Sequence, residues 1–320
     1  MTNAICTLFE GSYHYGLAAL VNSLHKAGFQ GNLYAGFRGA MPPWVSGAAR
    51  VALPGWPDAQ SMQVAQGLNI VFLPLVTSHH LTNYKADFML GLLDGPAKAA
   101  NALFYLDPDI CVTCPWRHLE EWVSCGVALC EDLNSPLAEH HPRRVGWRRY
   151  FGTHGVALTF KAPEYVNGGF VGVRAVDRGF LVAWKQTMDL MGEEIGSLSI
   201  ALTVNSAYRS TGLMDCFDRT DQDALNAAVE SWGGDVSVIG QEAMAFKPGA
   251  ALVPHALGAG KPWQRNYFLG ALLGQSPRVA DRAFWSSARS PIPAYPHWHV
   301  RLKMFELLVA SAIGRFMRRA

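Results

Sequence analysis

Short apolar runs alternate with stretches of helical periodicity along the N-terminal part of this chain, and that alternation restricts the fold more than any other feature. Residues 4–9, AICTLF, read as a strand closed by the polar turn Glu10-Gly-Ser-Tyr13. Leu17, Leu20, Val21 and Leu24 then recur at i, i+3, i+4 and i+7, one face of a helix with a stop at Gly28. Further short apolar runs bounded by Gly and Pro lie at 33–37, 50–53 and 69–75; residues 83–93 have helical spacing, and 104–112 and 126–130 are apolar again. Such alternation implies a mostly parallel central sheet with helices on both faces, in which ligands bind beyond the carboxyl ends of the strands. The pattern continues with a run at 165–173, helices at about 177–191 and from Asp221, and short runs at 236–239 and 252–255.

One of these runs is interrupted. Residues 104–112 read FYLDPDICV, with two carboxylates flanking a proline inside an apolar strand. Burying unpaired charge costs several kcal/mol, so Asp107 and Asp109 belong at the strand end, the ligand edge of such a sheet. Spaced by one residue in extended chain, they point to the same side, and their repulsion favours a shared hard cation such as Mn2+ or Mg2+. Asp-Pro-Asp is equally the chemistry of a solvated turn. Three other segments bear on the choice. Residues 165–173, YVNGGFVGV, interrupt an extended run with Asn167-Gly168-Gly169, which allows close approach of backbone or ligand. Asp221-Gln-Asp-Ala-Leu-Asn226 places polar groups at a helix start, where capping and dipole compensation are the plain alternative. Pro254-His-Ala-Leu-Gly-Ala-Gly-Lys-Pro-Trp263 offers a metal-ligating histidine and a glycine-flanked lysine suited to phosphate.

In order and combination, DxD after an apolar strand, Asn-Gly-Gly in a strand, DQDxLN and HxxGxxKPW resemble the retaining glycosyltransferases of the glycogenin and bacterial lipooligosaccharide galactosyltransferase family, over about residues 4–265. The resemblance implies a GT-A fold, an α/β nucleotide-diphospho-sugar transferase domain with a Rossmann-like, mostly parallel central sheet. It implies that Asp107, Asp109 and His255 hold Mn2+ (or Mg2+) against the pyrophosphate of a UDP-sugar, with Lys261 as a second positive charge. It places Lys85, Asn167, Gly168 and Gly258 at the donor, and Thr7 and Tyr13 at the uridine. Asp221 would bind hydroxyls of the donor sugar, and Gln222 would lie beneath the anomeric carbon and stabilise positive charge there, an amide being a poor nucleophile. The chain departs from the usual Asn-Ser-Gly or Asn-Thr-Gly at residues 167–169 and carries a proline between the aspartates. The implied activity is hexosyl transfer to a glycan or glycolipid acceptor of cell-surface polysaccharide or lipopolysaccharide type; a nucleotide-sugar-binding sensor or scaffold without turnover would use the same pocket.

Composition limits the other possibilities. With half of its 320 residues apolar and 16% charged, the chain can bury a large core, and a net charge of +2 gives no case for nucleic acid as partner. The N-terminus lacks a basic segment followed by an apolar one, and no window reaches the about eighteen apolar residues of a membrane span, so a cytoplasmic protein is expected. The six cysteines read as reduced thiols; Cys111-Val-Thr-Cys114 has zinc or redox spacing but no second pair to match.

Two basic segments complete the reading. Residues 140–150, HHPRRVGWRRY, read either as an acceptor lid with Trp147 stacking on a sugar ring or as a solvated loop. The organisation expected is a catalytic domain over 1–287, followed over 288–320 by a Pro-rich stretch and a basic amphipathic helix. In that helix Leu302, Phe305, Val309, Ile313 and Phe316 keep helical spacing among Arg301, Lys303, Arg315, Arg318 and Arg319. It suits peripheral attachment, through residues 300–319, to an anionic membrane surface on the cytoplasmic face, or packing within the protein.

Overall fold

A computed structural model describes residues 3–201, 216–258 and 260–317, with backbone alone at 315–317. Nine strands among the described residues form one sheet: β1 (Ala4–Glu10), β2 (Gly31–Arg38), β3 (Ala49–Arg50), β4 (Gln60–Ala65), β5 (Leu68–Pro74), β6 (Ala102–Leu106), β7 (Val127–Glu131), β8 (Val166–Arg174) and β9 (Val236–Ile239). Their spatial order is β3-β4-β5-β2-β1-β6-β8-β7-β9. The central pairs β5·β2, β2·β1 and β1·β6 are parallel, as is β7·β9; only β4 and β8 run against the other strands. The mostly parallel sheet expected from the alternation is therefore present. β4, reading QSMQVA with Met62 alone buried, has too little apolar character to be recognised in the sequence.

The nine α-helices among the described residues are α1 (His14–Ala27), α2 (Lys85–Asp94), α3 (Trp116–Val123), α4 (Pro142–Thr153), α5 (Arg178–Ile195), α6 (Thr220–Ser231), α7 (Tyr267–Leu272), α8 (Val279–Ser287) and α9 (His297–Met317). The Leu17, Leu20, Val21 and Leu24 stripe of α1 packs, with α3, on one face of the sheet, while α2, α5 and α6 cover the other. Gly28 ends α1 at φ 88°, and the Gly28 and Phe29 N–H groups close the last turn on the His25 and Leu24 carbonyls. α8 and α9 enclose a third apolar cluster with Ala19 of α1 and Cys111, centred on the buried Trp285. Truncating a fully buried tryptophan of this kind costs about 3–5 kcal/mol.

Two consequences position the site. From β1 the chain crosses to β2 on one side and later to β6 on the other, so a crevice opens between the carboxyl ends of β1 and β6. Because β8 is antiparallel to β6, with Leu106 opposite Phe170, its first residues, Asn167 to Gly169, arrive at that same edge.

Candidate active site

β6 delivers Asp107-Pro108-Asp109 to the crevice as a tight turn. The Asp107 N–H donates to the Gly169 carbonyl at 2.8 Å, and the Ile110 N–H to the Asp107 carbonyl at 3.0 Å. Residues 252–256 run alongside: Cys111 and Thr113 donate backbone bonds to Pro254 and Leu252, Ala256 donates to Asp109, and Ile110 bridges His255. This pairing places the imidazole over the two carboxylates. Two glycines make the approach possible. A Cβ on Gly169 would lie 2.6 Å from His255 Cε1, and one on Gly16, in the first turn of α1, 2.3 Å from the Pro108 carbonyl oxygen.

The result is a cluster in which one atom each from Asp107, Asp109 and His255 lie within 4.8 Å of one another. His255 Nε2 is 3.2 Å from Asp109 Oδ1 and 3.7 Å from Asp107 Oδ2. Lys261 Nζ is 2.6 Å from Asp109 Oδ2 and also donates to the Ala256 carbonyl. Burial pushes the Asp109 carboxyl up, but His255 and Lys261 outweigh it and hold the group well below the usual carboxylate range. On the other side Tyr105 donates its hydroxyl to Asp107 Oδ1 at 2.8 Å, and the buried Lys85 ammonium lies 3.2 Å from the same oxygen. Lys85 also donates to the Gly168 carbonyl at 2.8 Å and to Asp221 Oδ2 at 2.9 Å. Burial alone would lower its pKa; Asp107 and Asp221 overcome that and raise it.

α6 supplies the remaining wall, and its DQDxLN signature is mostly scaffolding. Asp223 is fully buried, accepts from the Asp218 and Arg219 N–H groups and from the Tyr165 hydroxyl, and pairs with Arg143. Asn226 clamps the helix to β8 by receiving the Val166 N–H and donating to the Val166 and Gln222 carbonyls. Asp221 and Gln222, one turn nearer the N-terminus, are thereby fixed at the crevice. Asn167 Nδ2 donates to Asp132 Oδ2 at 2.6 Å and to Gln222 Oε1 at 3.2 Å. The crevice is a cleft of about 270 Å3 lined by Tyr13, Asp107, Asp109, Asn167, Asp221, Gln222, His255 and Lys261 among others.

No protein-family model and no curated protein matches the sequence. Solved structures do. The galactosyltransferase LgtC in complex with donor and acceptor sugar analogues is 16% identical, with a TM-score of 0.52, over 94% of this chain and 99% of that one. An active-site mutant of LgtC gives a TM-score of 0.53 at the same identity and coverage. The fold is GT-A. The glycosyltransferase GlyE of Streptococcus pneumoniae TIGR4 is 14% identical, with a TM-score of 0.49 over 97% of this chain, which spans 64% of its length.

Within this GT-A fold the residues expected from sequence take different places. Tyr13, Asp107, Asp109, Asn167, Asp221, Gln222, His255 and Lys261 meet on the cleft wall. Lys85 and Gly168 support it from behind, joined by the bond already described, and Gly258 is exposed on the loop between His255 and Lys261 with φ 79°. Thr7 is fully buried within β1, its hydroxyl without a hydrogen-bond partner among the described residues. The cleft also takes Glu10, His80 and Thr82, which sequence reasoning did not single out. Glu10 closes the first apolar strand and so carried a signal; His80 and Thr82 lie in a stretch with no motif.

The arginine-rich segment is neither a lid nor a loop. It forms α4, and Trp147 is fully buried with its Nε1 donating to the Cys216 carbonyl at 2.7 Å, so it cannot stack on a ligand. Arg143 and Arg144 turn inward to Asp223 and Glu230. The cysteines are all free, and Cys111 packs in the third apolar cluster. No described helix is long and apolar enough to cross a membrane.

Proposed function

We propose that this chain is a metal-dependent retaining glycosyltransferase that moves a hexose from a UDP-sugar to a glycan or lipid-linked acceptor, in the building of cell-surface polysaccharide or lipopolysaccharide. The observation that carries this reading is the convergence of Asp107, Asp109 and His255 at the carboxyl edge of a GT-A sheet. Two carboxylate oxygens and an imidazole nitrogen, all within 4.8 Å, suit Mn2+ or Mg2+ and leave positions for phosphate oxygens. When bound, the ion supplies positive charge to the diphosphate that leaves.

The chain's own groups do the rest. Lys261, held by Asp109 and by the face of Tyr13 at 5.6 Å, is a second cation for the pyrophosphate. Tyr13, braced edge-on by Trp263, serves the uridine end, whereas Thr7 is buried within β1 and lies off the cleft wall. Asp221, anchored by Lys85, presents its other oxygen to sugar hydroxyls. Asn167 borders the donor, backed by Gly168 and with Gly258 on the loop leading to Lys261, and Gln222 stands at its reacting sugar. With an amide at that position and no covalent nucleophile assigned, the acceptor attacks on the face from which UDP departs.

The catalytic unit in this reading is residues 1–287, and 288–320 attach it to a membrane surface at the cytoplasmic face. Between Leu257 and Ala320 the chain has ten lysines and arginines and only two carboxylates, whereas residues 1–256 have seventeen and twenty-three. Both carboxylates, Asp281 and Glu306, are buried and paired. On α9, Trp298, Leu302, Phe305 and Leu308 are more than half exposed, and the neighbouring α7 exposes Leu269 and Leu272. Val309 and Ile313 of the expected stripe are half-buried, and the side chains of Arg315, Phe316, Arg318 and Arg319 lie outside the described residues. An exposed apolar face in a segment with an excess of basic residues suits anionic lipid.

A thermal-shift screen of UDP-sugars tests the reading. The unfolding midpoint is expected to rise with Mn2+ and one UDP-sugar together, by more than with either alone. No response to any UDP-sugar in the presence of Mn2+ would sink it.

A further inference from the structure

One acidic group beside the cleft has no part in the chemistry above. Asp132 follows β7 directly and is 2% exposed. Its Oδ2 accepts from Asn167 Nδ2 at 2.6 Å, and its Oδ1 from the Asn134 N–H at 2.9 Å and Asn134 Nδ2 at 2.5 Å. Its backbone is pinned as well: the N–H donates to the Tyr165 carbonyl at 2.8 Å, and the carbonyl accepts from Gln241 Nε2 at 2.9 Å.

A carboxylate accepts hydrogen bonds and does not donate them. Asp132 therefore turns the NH2 end of Asn167 toward itself, while the Gly169 N–H, 2.8 Å from Asn167 Oδ1, fixes the oxygen end. The second proton of that NH2 goes to Gln222 Oε1 at 3.2 Å. The next amide is thereby oriented too. With its oxygen held by Asn167, Gln222 is left with a buried Nε2 that has no hydrogen-bond partner among the described residues. An unmet buried donor is unfavourable, and Gln222 lies on the cleft wall, where a ligand oxygen can complete it.

We propose that Asp132 is a positioning residue which, through Asn167, makes Gln222 present its NH2 and not its carbonyl to an oxygen of the bound sugar donor. The proposal rests on the cleft being the donor site. It changes the role of Gln222: an amide presented in this polarity recognises an electron-rich oxygen and places no lone pair against a positive anomeric carbon. Asp132 itself touches no substrate.

The test is a double-mutant cycle on UDP-sugar turnover by the full chain. Asp132→Asn keeps the shape but allows its amide to face either way, so Asn167 and Gln222 can turn over. It is expected to lower kcat/KM about tenfold alone and by less than about twofold in a Gln222→Ala background. An equal loss in both backgrounds would show a general structural role and overturn the proposal. Asn167→Ser, which cuts the chain of bonds while leaving Asp132 in place, is run beside it and is expected to couple to Gln222→Ala in the same way. A readout independent of turnover comes from selective 15N-glutamine labelling. The Gln222 side-chain NH2 signals, assigned by their loss in Gln222→Ala, are expected to move in ligand-free Asp132→Asn and Asn167→Ser; stationary signals would overturn the relay. Moving signals in a chain that turns over no UDP-sugar would instead reject the donor-site reading and leave the relay supported.

Discussion

Lys85 Nζ lies 2.9 Å from Asp221 Oδ2, and this buried contact ties α2 to α6 beneath the cleft. The same ammonium reaches Asp107 at 3.2 Å, so one cation holds the end of β6 and the start of α6 at a fixed separation.

Removing that cation takes from Asp107 and Asp221 the ammonium they share. Lys85→Met is expected to lose about 3 kcal/mol of stability, measured by urea unfolding. The sign of the pH dependence follows from the raised pKa of Lys85: its contribution is fully present below the ordinary value of 10.5 and is lost only as pH rises through the higher folded value. The stability difference between wild type and variant attributable to Lys85 is therefore flat from about pH 6 to about pH 9. A loss below about 0.5 kcal/mol would show that the contact does not bear on stability.

Gly169 is required by the His255 ring, which stands 2.6 Å from where a Cβ would be. Gly169→Ala is expected to displace the imidazole, at about 1–3 kcal/mol of stability, and to weaken Mn2+ binding at least tenfold. Titration of Mn2+ followed by its paramagnetic resonance measures this directly. Unchanged affinity would separate His255 from the metal.

Thiol reactivity separates the packing reading of the cysteines from a zinc or redox site. Burial pushes the Cys111 and Cys216 thiols up to about 12, and the Cys6 and Cys130 thiols are also raised by burial. Cys125 is exposed. In the folded protein at about pH 8, iodoacetamide should modify Cys125 first by a wide margin, as read by peptide mass spectrometry. Rapid modification of Cys111 would contradict the packing.

The surface of α9 gives a salt-dependent expectation. The full chain should sediment with vesicles containing anionic lipid, less at high salt, and weakly with neutral vesicles. Arg301→Ser should reduce binding about fivefold, and Phe305→Asp more. Undiminished sedimentation after deletion of residues 298–320 would remove the membrane role.

The sequence was most legible where one physical requirement acted alone. The Leu17 to Leu24 stripe, the Gly28 stop and the fully buried β6 follow from period and burial, and each was readable before the fold was known. The DxD, Asn-Gly-Gly and HxxGxxKPW residues were legible as motifs, but their mutual distance came only from the antiparallel entry of β8 and the pairing of 252–256 beside 107–113. α4 was misread because composition does not reveal which way an arginine points: Arg143 and Arg144 face buried carboxylates from elsewhere in the chain. Asp132 was invisible for the same reason, since its partners Asn167 and Gln241 are distant in sequence.

The central claim is tested most directly by UDP release from UDP-sugars in the presence of an acceptor extract, with and without Mn2+, for wild type, Asp109→Ala and His255→Ala. The expected result is acceptor-stimulated, Mn2+-dependent release by the wild type, and loss of at least about a thousandfold in kcat/KM in both variants while their circular dichroism remains that of the wild type. Turnover by either variant at the wild-type rate, or release indifferent to Mn2+, would contradict the assignment of Asp107, Asp109 and His255 as the metal centre of a glycosyltransferase.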